Sequence, residues 1–251
     1  NIYREPEALK KVAWIPFRLR RAVRKLAAKL PDVKGRDFLI RAGMKVEERF
    51  IGNAYIYCEK EKAQILKNKV TGPSTQEYLR PFFEELESEN RGSLRDMEKM
   101  QSVDLRYWLP GDILQKADKM SMAHSLEVRV PFLDKEVFDF AAKLPKEAKI
   151  AAGTTKYIFR KAVSEFLPQE TDERRKLGFP IPIRVWLRQD DWYQMVTDLF
   201  TSKEAEEFFR TEELLQLLKD HKNKKADNSR KIWTVLTFLI WYDRFFTTCS
   251  K

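Results

Sequence analysis

Ser229-Arg230-Lys231-Ile232-Trp233-Thr234-Val235-Leu236-Thr237-Phe238-Leu239-Ile240-Trp241-Tyr242-Asp243-Arg244-Phe245-Phe246 decides the fold class. The run holds neither Gly nor Pro, and its apolar residues fall on most faces of a 3.6-residue helix instead of alternating. A helix that apolar is expected deep in a core. Residues 221–228, His-Lys-Asn-Lys-Lys-Ala-Asp-Asn, form a polar connector ahead of it. The helical period recurs through the chain. Residues 18–29 place Leu19, Val23 and Leu26, with Leu30 beyond, on the apolar side of a helix with a basic outer face. Residues 36–50 repeat the pattern, with Phe38, Leu39, Ala42, Val46 and Phe50 inward. Further helices are expected over 94–105, after Gly92 and Ser93, and over 135–143 with Asp134 as N-cap. Residues 67–74 read as a loop closing on Gly72-Pro73-Ser74, and Ser74 or Thr75 caps the next helix. Strand signals are poor: residues 55–58 are short, and Val128-Arg129-Val130 alternates only briefly. No long internal repeat stands out. The chain reads as all-α.

Composition sets the outer bounds. With 251 residues, the chain is long enough for one large domain or two small ones. Hydrophobic residues at 43%, with six Trp and 17 Phe, exclude a disordered chain. Eight Gly and 11 Pro leave few turn signals, which favours long helices. Cys58 and Cys249 are too few and too distant for a disulfide framework, so a reducing, cytoplasmic setting is expected. No segment approaches the ~20 apolar residues of a membrane span. The opening Asn1-Ile2-Tyr3-Arg4 has no signal-peptide pattern, and the missing initiator Met suggests trimming upstream. A net charge of +10 invites nucleic acid. Yet 38 Asp and Glu are interspersed with the 48 Lys and Arg, as on solvated helix faces. Neither nucleic acid nor membrane is the expected partner; a basic helical nucleic-acid-binding or interaction domain stands as the alternative.

His124 and His221 lie far apart, with no metal-ligand spacing, and no Gly-rich phosphate loop is present. Three local features carry chemistry. In residues 109–123, Pro110 and Gly111 are expected to break a helix and Asp112 to cap the next, with Asp112 and Lys116 one turn apart. A capped helix with a surface ion pair explains those residues as well as a site does. In residues 125–134, Pro131 forces Val130 into extended backbone. Glu127 and Arg129 then project on one side among Val128, Val130, Phe132 and Leu133, where charges are expected to be paired and partly buried. That pair either fixes the fold or holds a charge at a cleft. In residues 153–160, Gly153 and a Thr cap are expected to start a helix with Lys156 in its first turn. Lys156 is either an exposed helix-end lysine or an anion contact.

Taken together, these stretches resemble the glutamine-hydrolysing asparagine synthetase family. Residues 109–134 are similar to its Leu-Pro-x-Asp, Asp-x-Met-Ser-Met-Ala and Glu-x-Arg-x-Pro-Phe-Leu-Asp signature. Residues 153–160 are similar to its Gly-x-x-Lys-Tyr-x-x-Arg segment. Arg175-Lys176-Leu177-Gly178-Phe179-Pro180-Ile181-Pro182 with Trp186-Leu187 is similar to its Lys-x-Gly-Phe…Trp-Leu element. Tyr3-Arg4-Glu5-Pro6 resembles the stretch immediately after its second acidic motif. The resemblance implies the multi-helix C-terminal portion of an adenine nucleotide α-hydrolase-like synthetase domain, with residues 1–251 one helical fragment. It implies an enzyme that uses ATP and Mg²⁺ to convert aspartate to β-aspartyl-AMP, from which glutamine-derived ammonia displaces AMP. Lys156 takes the family's catalytic-lysine position; Asp112, Lys116, Glu127 and Arg129 fall at the substrate and nucleotide cleft. The Ser-Gly-Gly-x-Asp-Ser loop, the acidic segment with the implied Mg²⁺ ligands and the nucleophilic Cys of an N-terminal glutaminase domain are not in this sequence. No metal ligand is therefore assigned here, and the chain alone is expected to be inactive. The resemblance allows a homodimer, and it also allows a related adenylating synthetase that forms another amide or a lactam.

Overall fold

The apolar run folds as the Ser229–Tyr242 helix, continued by a π-helical turn over Asp243–Thr247. The computed structural model describes residues 5–31, 33, 35–52, 55–68, 71–90, 94–168 and 181–247. Only one side of this helix is inside. Ile232, Val235, Leu236 and Leu239 are buried, whereas Ile240, Trp241, Phe245 and Phe246 are exposed. The expectation of a deeply embedded helix is corrected: its inner face meets a single helical layer. On the outer face the rings gather on each other, Trp241 and Tyr242 each about 5 Å from Phe246, at 5.1 and 5.2 Å.

That layer comprises the helices Ile183–Trp186, Asp190–Phe200, Lys203–Phe208 and Thr211–Lys222. They supply Val196, Phe200, Ala205, Leu214 and Leu218, and Leu187 comes just after the first of them. Each of these side chains except Ala205 contributes about 1.5–3 kcal/mol on burial. The Glu59–Ile65 helix closes the cluster, and its carbonyl ends are tied by Arg210, whose backbone N–H donates to Ile65 O at 2.8 Å. His221 is completely buried in this unit. Its Nδ1 accepts from the Asn228 backbone N–H at 3.3 Å, which leaves Nε2 to donate to Arg184 O at 3.0 Å. The connector histidine is thus a structural link.

A second cluster joins Val46 and Phe50 to Leu79 and Phe83 of the Thr75–Glu89 helix and to Met100 and Val103 of the Asp96–Val103 helix. Ser74 caps the Thr75–Glu89 helix as expected, accepting from Glu77 N at 3.3 Å while Glu77 accepts from Ser74 N at 2.7 Å. Charges stitch this cluster. Buried Lys99 donates to Glu47 and Glu87 at 2.5 Å each. Burial alone would lower the Lys99 pKa, but hydrogen bonds to both carboxylates outweigh it and raise it. Stability from this contact is complete below the ordinary lysine value near 10.4 and is lost as pH climbs through the raised value. Lys99→Ala should cost about 2 kcal/mol in urea unfolding at neutral pH, since both carboxylates keep some water. It should also flatten the alkaline fall in stability; an unchanged alkaline limb would mean that the contact is not formed.

The expected apolar inner face of residues 18–29 is corrected. The Phe17–Ala27 helix leaves Leu19 and Leu26 exposed and turns Arg20 inward, where it donates to Ile15 O and Ala42 O. Gly43 permits this, because a Cβ there would lie 2.6 Å from Arg20 O. Gly43 also divides the expected 36–50 helix into Arg36–Ala42 and Val46–Arg49. Ala42, Val46 and Phe50 point inward as expected, but Leu39 is exposed.

The chain divides into two compact units, one of residues 1–115 with 182–251 and one of residues 116–181. Both clusters above lie in the first. The second holds the Lys135–Lys143 helix, which is the one expected: Asp134 accepts from the N–H groups of Glu136 and Val137 at its start. It also holds a two-stranded hairpin and the Tyr157–Val163 helix, and none of its described residues is buried. Among the described residues, no helix is long and apolar enough to cross a membrane.

Candidate functional site

In the first unit the site region is a widened helix. Helical backbone runs without a break from Asp96–Val103 into a π-helical stretch over Asp104–Leu114. Pro110 lies inside it, so the expected break and the Asp112 cap are corrected. A proline ring clashes with the carbonyl four residues back, and a wider turn moves that carbonyl aside. Asp112 instead accepts from the Trp108 indole N–H at 3.0 Å, one turn earlier. A cleft of about 340 Å³ opens here, lined by Thr75, Tyr78, Tyr107, Trp108, Gly111 and Asp112 among others. Tyr107 stands edge-on to Tyr78 and Phe82, at 6.1 and 5.5 Å. The sequence reading missed Trp108, although its four-residue spacing from Asp112 was an available signal.

The other candidates belong to the second unit. Lys116 stands on the Gln115–Met122 helix. Glu127 and Arg129 are paired at 2.6 Å, as expected, but they are not buried: their side chains are 69% and 84% exposed. Val128, Val130 and Phe132 beside them are exposed as well, so the pair sits in water and is worth at most about 1 kcal/mol. Lys156 is not in the first turn of a helix. Ile150–Ala151 and Thr154–Thr155 form an antiparallel hairpin, which commits the Thr backbone to a ladder instead of a cap. Lys156 is the residue before the Tyr157–Val163 helix, in left-handed backbone with φ 57° and ψ 35°. Such a conformation costs a non-glycine residue about 1–2 kcal/mol. Lys156 is exposed, and among the described residues its ammonium has no hydrogen-bond or ion-pair partner.

Two of the three sequence features meet within this unit. Phe132 of the Pro131–Leu133 turn packs edge-on against Phe159 of the Tyr157–Val163 helix, ring centroids 5.3 Å apart. The signature segment and the lysine helix are thereby held together. Residues 175–180 and Tyr3-Arg4 lie outside the described residues; Trp186 stacks on Trp192 at 5.4 Å and Leu187 is fully buried. Among the described residues, no group of three or more His, Cys, Asp or Glu is placed to hold a metal ion.

Comparison with known proteins settles the family. The asparagine synthase family profile matches residues 3–243. The chain belongs to the asparagine synthase family. Asparagine synthetase [glutamine-hydrolyzing] 1 of Bacillus subtilis is 45% identical over 243 residues, covering 96% of this chain and 38% of its own length. A Mycobacterium tuberculosis relative is 37% identical over 98% of this chain and 37% of its own length. The asparagine synthetase [glutamine-hydrolyzing] of Gallus gallus is 38% identical over 39% of this chain and 19% of its own length. This asparagine synthase chain thus spans well under half the length of the curated relatives it matches. No solved structure matches it.

Proposed function

We propose that the polypeptide carrying this chain makes asparagine from aspartate, ATP and glutamine-derived ammonia, and that Lys156 is its catalytic lysine. The observation that carries this reading is Lys156 itself. It is an exposed cation without a partner among the described residues, on a helix seated against the family signature through Phe132 and Phe159. The names of the curated relatives support the same direction.

The chemistry divides into two steps. A side-chain carboxylate oxygen of aspartate attacks the α-phosphorus of ATP, and pyrophosphate leaves. Ammonia then attacks the acyl carbon, AMP leaves with the bonding electrons, and the nitrogen loses a proton. In the first step Lys156 offers a point charge to the phosphoryl oxygens as negative charge develops. Asp112, Lys116, Glu127 and Arg129 are assigned as substrate and nucleotide contacts on the strength of the family resemblance. Mg²⁺, when bound, offsets phosphate charge. The described residues of this chain supply no set of ligands that fits it. On this reading the chain is the helical C-terminal portion of an adenine nucleotide α-hydrolase-like domain. It works beside a glutaminase domain in a cytoplasmic, homodimeric enzyme, and alone it is inactive.

The nucleotide products test the adenylation step. One AMP and one pyrophosphate per asparagine are expected from the polypeptide that carries this chain. ADP and phosphate in their place would remove adenylation from the account.

A further inference from the structure

Lys156 holds a backbone conformation that its own contacts do not require. Four non-glycine residues have positive φ among the described residues: Ser125, Ala152, Lys156 and Lys224. Lys224 has an ordinary reason. It lies just past the Thr211–Lys222 helix, where left-handed backbone lets the N–H groups of Lys224 and Lys225 reach His221 O and Asp220 O at 3.2 and 2.9 Å. Lys156 stands at the opposite end of a helix. There the free groups are N–H donors, and a lysine side chain offers them no acceptor. Glycine or asparagine would take this backbone with less strain. The fold gains nothing visible from lysine at this position.

Lys156 has a contact-defined element on either side. The hairpin ladder pairs Ile150 with Thr155 and Ala151 with Thr154 across a two-residue turn, Ala152-Gly153, with φ of 47° and 72°. Two-residue turns with both residues left-handed fix hairpin register. Lys156 comes immediately after the last ladder pair, and three residues later Phe159 is held by Phe132. A Cβ at Gly153 would meet nothing within 4 Å, so substitution there acts through φ and not through crowding.

We infer that the Ala152-Gly153 turn is a positioning device for Lys156. The turn and the left-handed junction together fix the point from which the ammonium reaches substrate, and Gly153 is a positioning residue. The inference rests on Lys156 acting on substrate, and the test separates the two claims.

Urea unfolding of the chain gives the first readout. Lys156→Gly and the control Lys224→Gly should each raise the folding equilibrium constant about two- to fivefold, as strain is relieved. A fall in stability for Lys156→Gly would show that lysine serves the fold and would overturn the inference. Steady-state kinetics of the longer polypeptide give the second. Gly153→Val, whose β-branched side chain resists positive φ, should lower kcat for asparagine formation at least about tenfold, with KM for aspartate within about twofold. Gly153→Asn, which tolerates left-handed backbone, should restore kcat to within about threefold. A cooperative urea transition for each Gly153 variant of the chain shows that it is folded. Full kcat in Gly153→Val, or equal losses in Val and Asn variants, would overturn positioning. Synthesis retained by Lys156→Gly would instead remove Lys156 from the reaction.

Discussion

Lys156→Ala is expected to lower ATP-dependent asparagine formation about 10³-fold in the longer polypeptide, with glutamine hydrolysis within about twofold. The size reflects where charge develops. A fixed cation aimed at transferring phosphoryl oxygens acts mainly on the transition state, so kcat should fall more than substrate affinity. The selectivity follows from the proposed division of labour, in which ammonia release is assigned to another domain. Arginine should rescue poorly, because a planar fork on a longer stem does not reproduce a compact ammonium at the same point. Separate assays of glutamate and asparagine in one preparation decide it. Equal losses in both activities would mean a folding defect, and unchanged synthesis would exclude Lys156 from the chemistry.

The largest structural effect is expected at Phe200. Its side chain is fully buried where the Asp190–Phe200 helix ends, in the cluster with Leu214, Leu218, Ile232 and Leu236. Phe200→Ala removes a ring from a site closed on several sides, so relaxation can refill little of the space. A loss of about 4 kcal/mol is expected. Against a typical total of about 5–15 kcal/mol, that consumes a large fraction of stability. Urea unfolding should show a lower midpoint at an unchanged slope. A loss below about 1 kcal/mol would mean that the cluster collapses freely around the gap.

Local capping chemistry was legible in the sequence. Asp134 before 135–143 and Ser74 before residue 75 each begin the expected helix, because one oxygen side chain at the right spacing serves free N–H groups whatever the tertiary context. The π-helical passage through Pro110 was not legible. Pro-Gly ordinarily ends a helix, and only the packing of Tyr107 against Tyr78 and Phe82 of the Thr75–Glu89 helix goes with a backbone that continues. The hairpin at 150–155 escaped because two residues per strand are too few for alternation to register. Burial was the least legible property. Leu19, Leu26 and Trp241 have apolar spacing that local pattern reads as inward, yet spacing alone cannot say whether another layer is there to receive them.

For the site, the residue types were readable and their settings were not. Glu127 and Arg129 do pair, but in water. Lys156 was assigned from its motif, while its left-handed backbone arises from a turn that the motif does not reveal. The Trp108 contact to Asp112 needed the helix to continue where Pro110 seemed to stop it.

The most direct test of the central claim, that this chain supplies the lysine but is not by itself the active enzyme, is an assay of the chain by itself. The purified chain, given ATP, Mg²⁺, aspartate and ammonia, is predicted to form neither AMP nor asparagine above background. The longer polypeptide should form both under the same conditions. Stoichiometric AMP and asparagine from the chain alone would contradict the account.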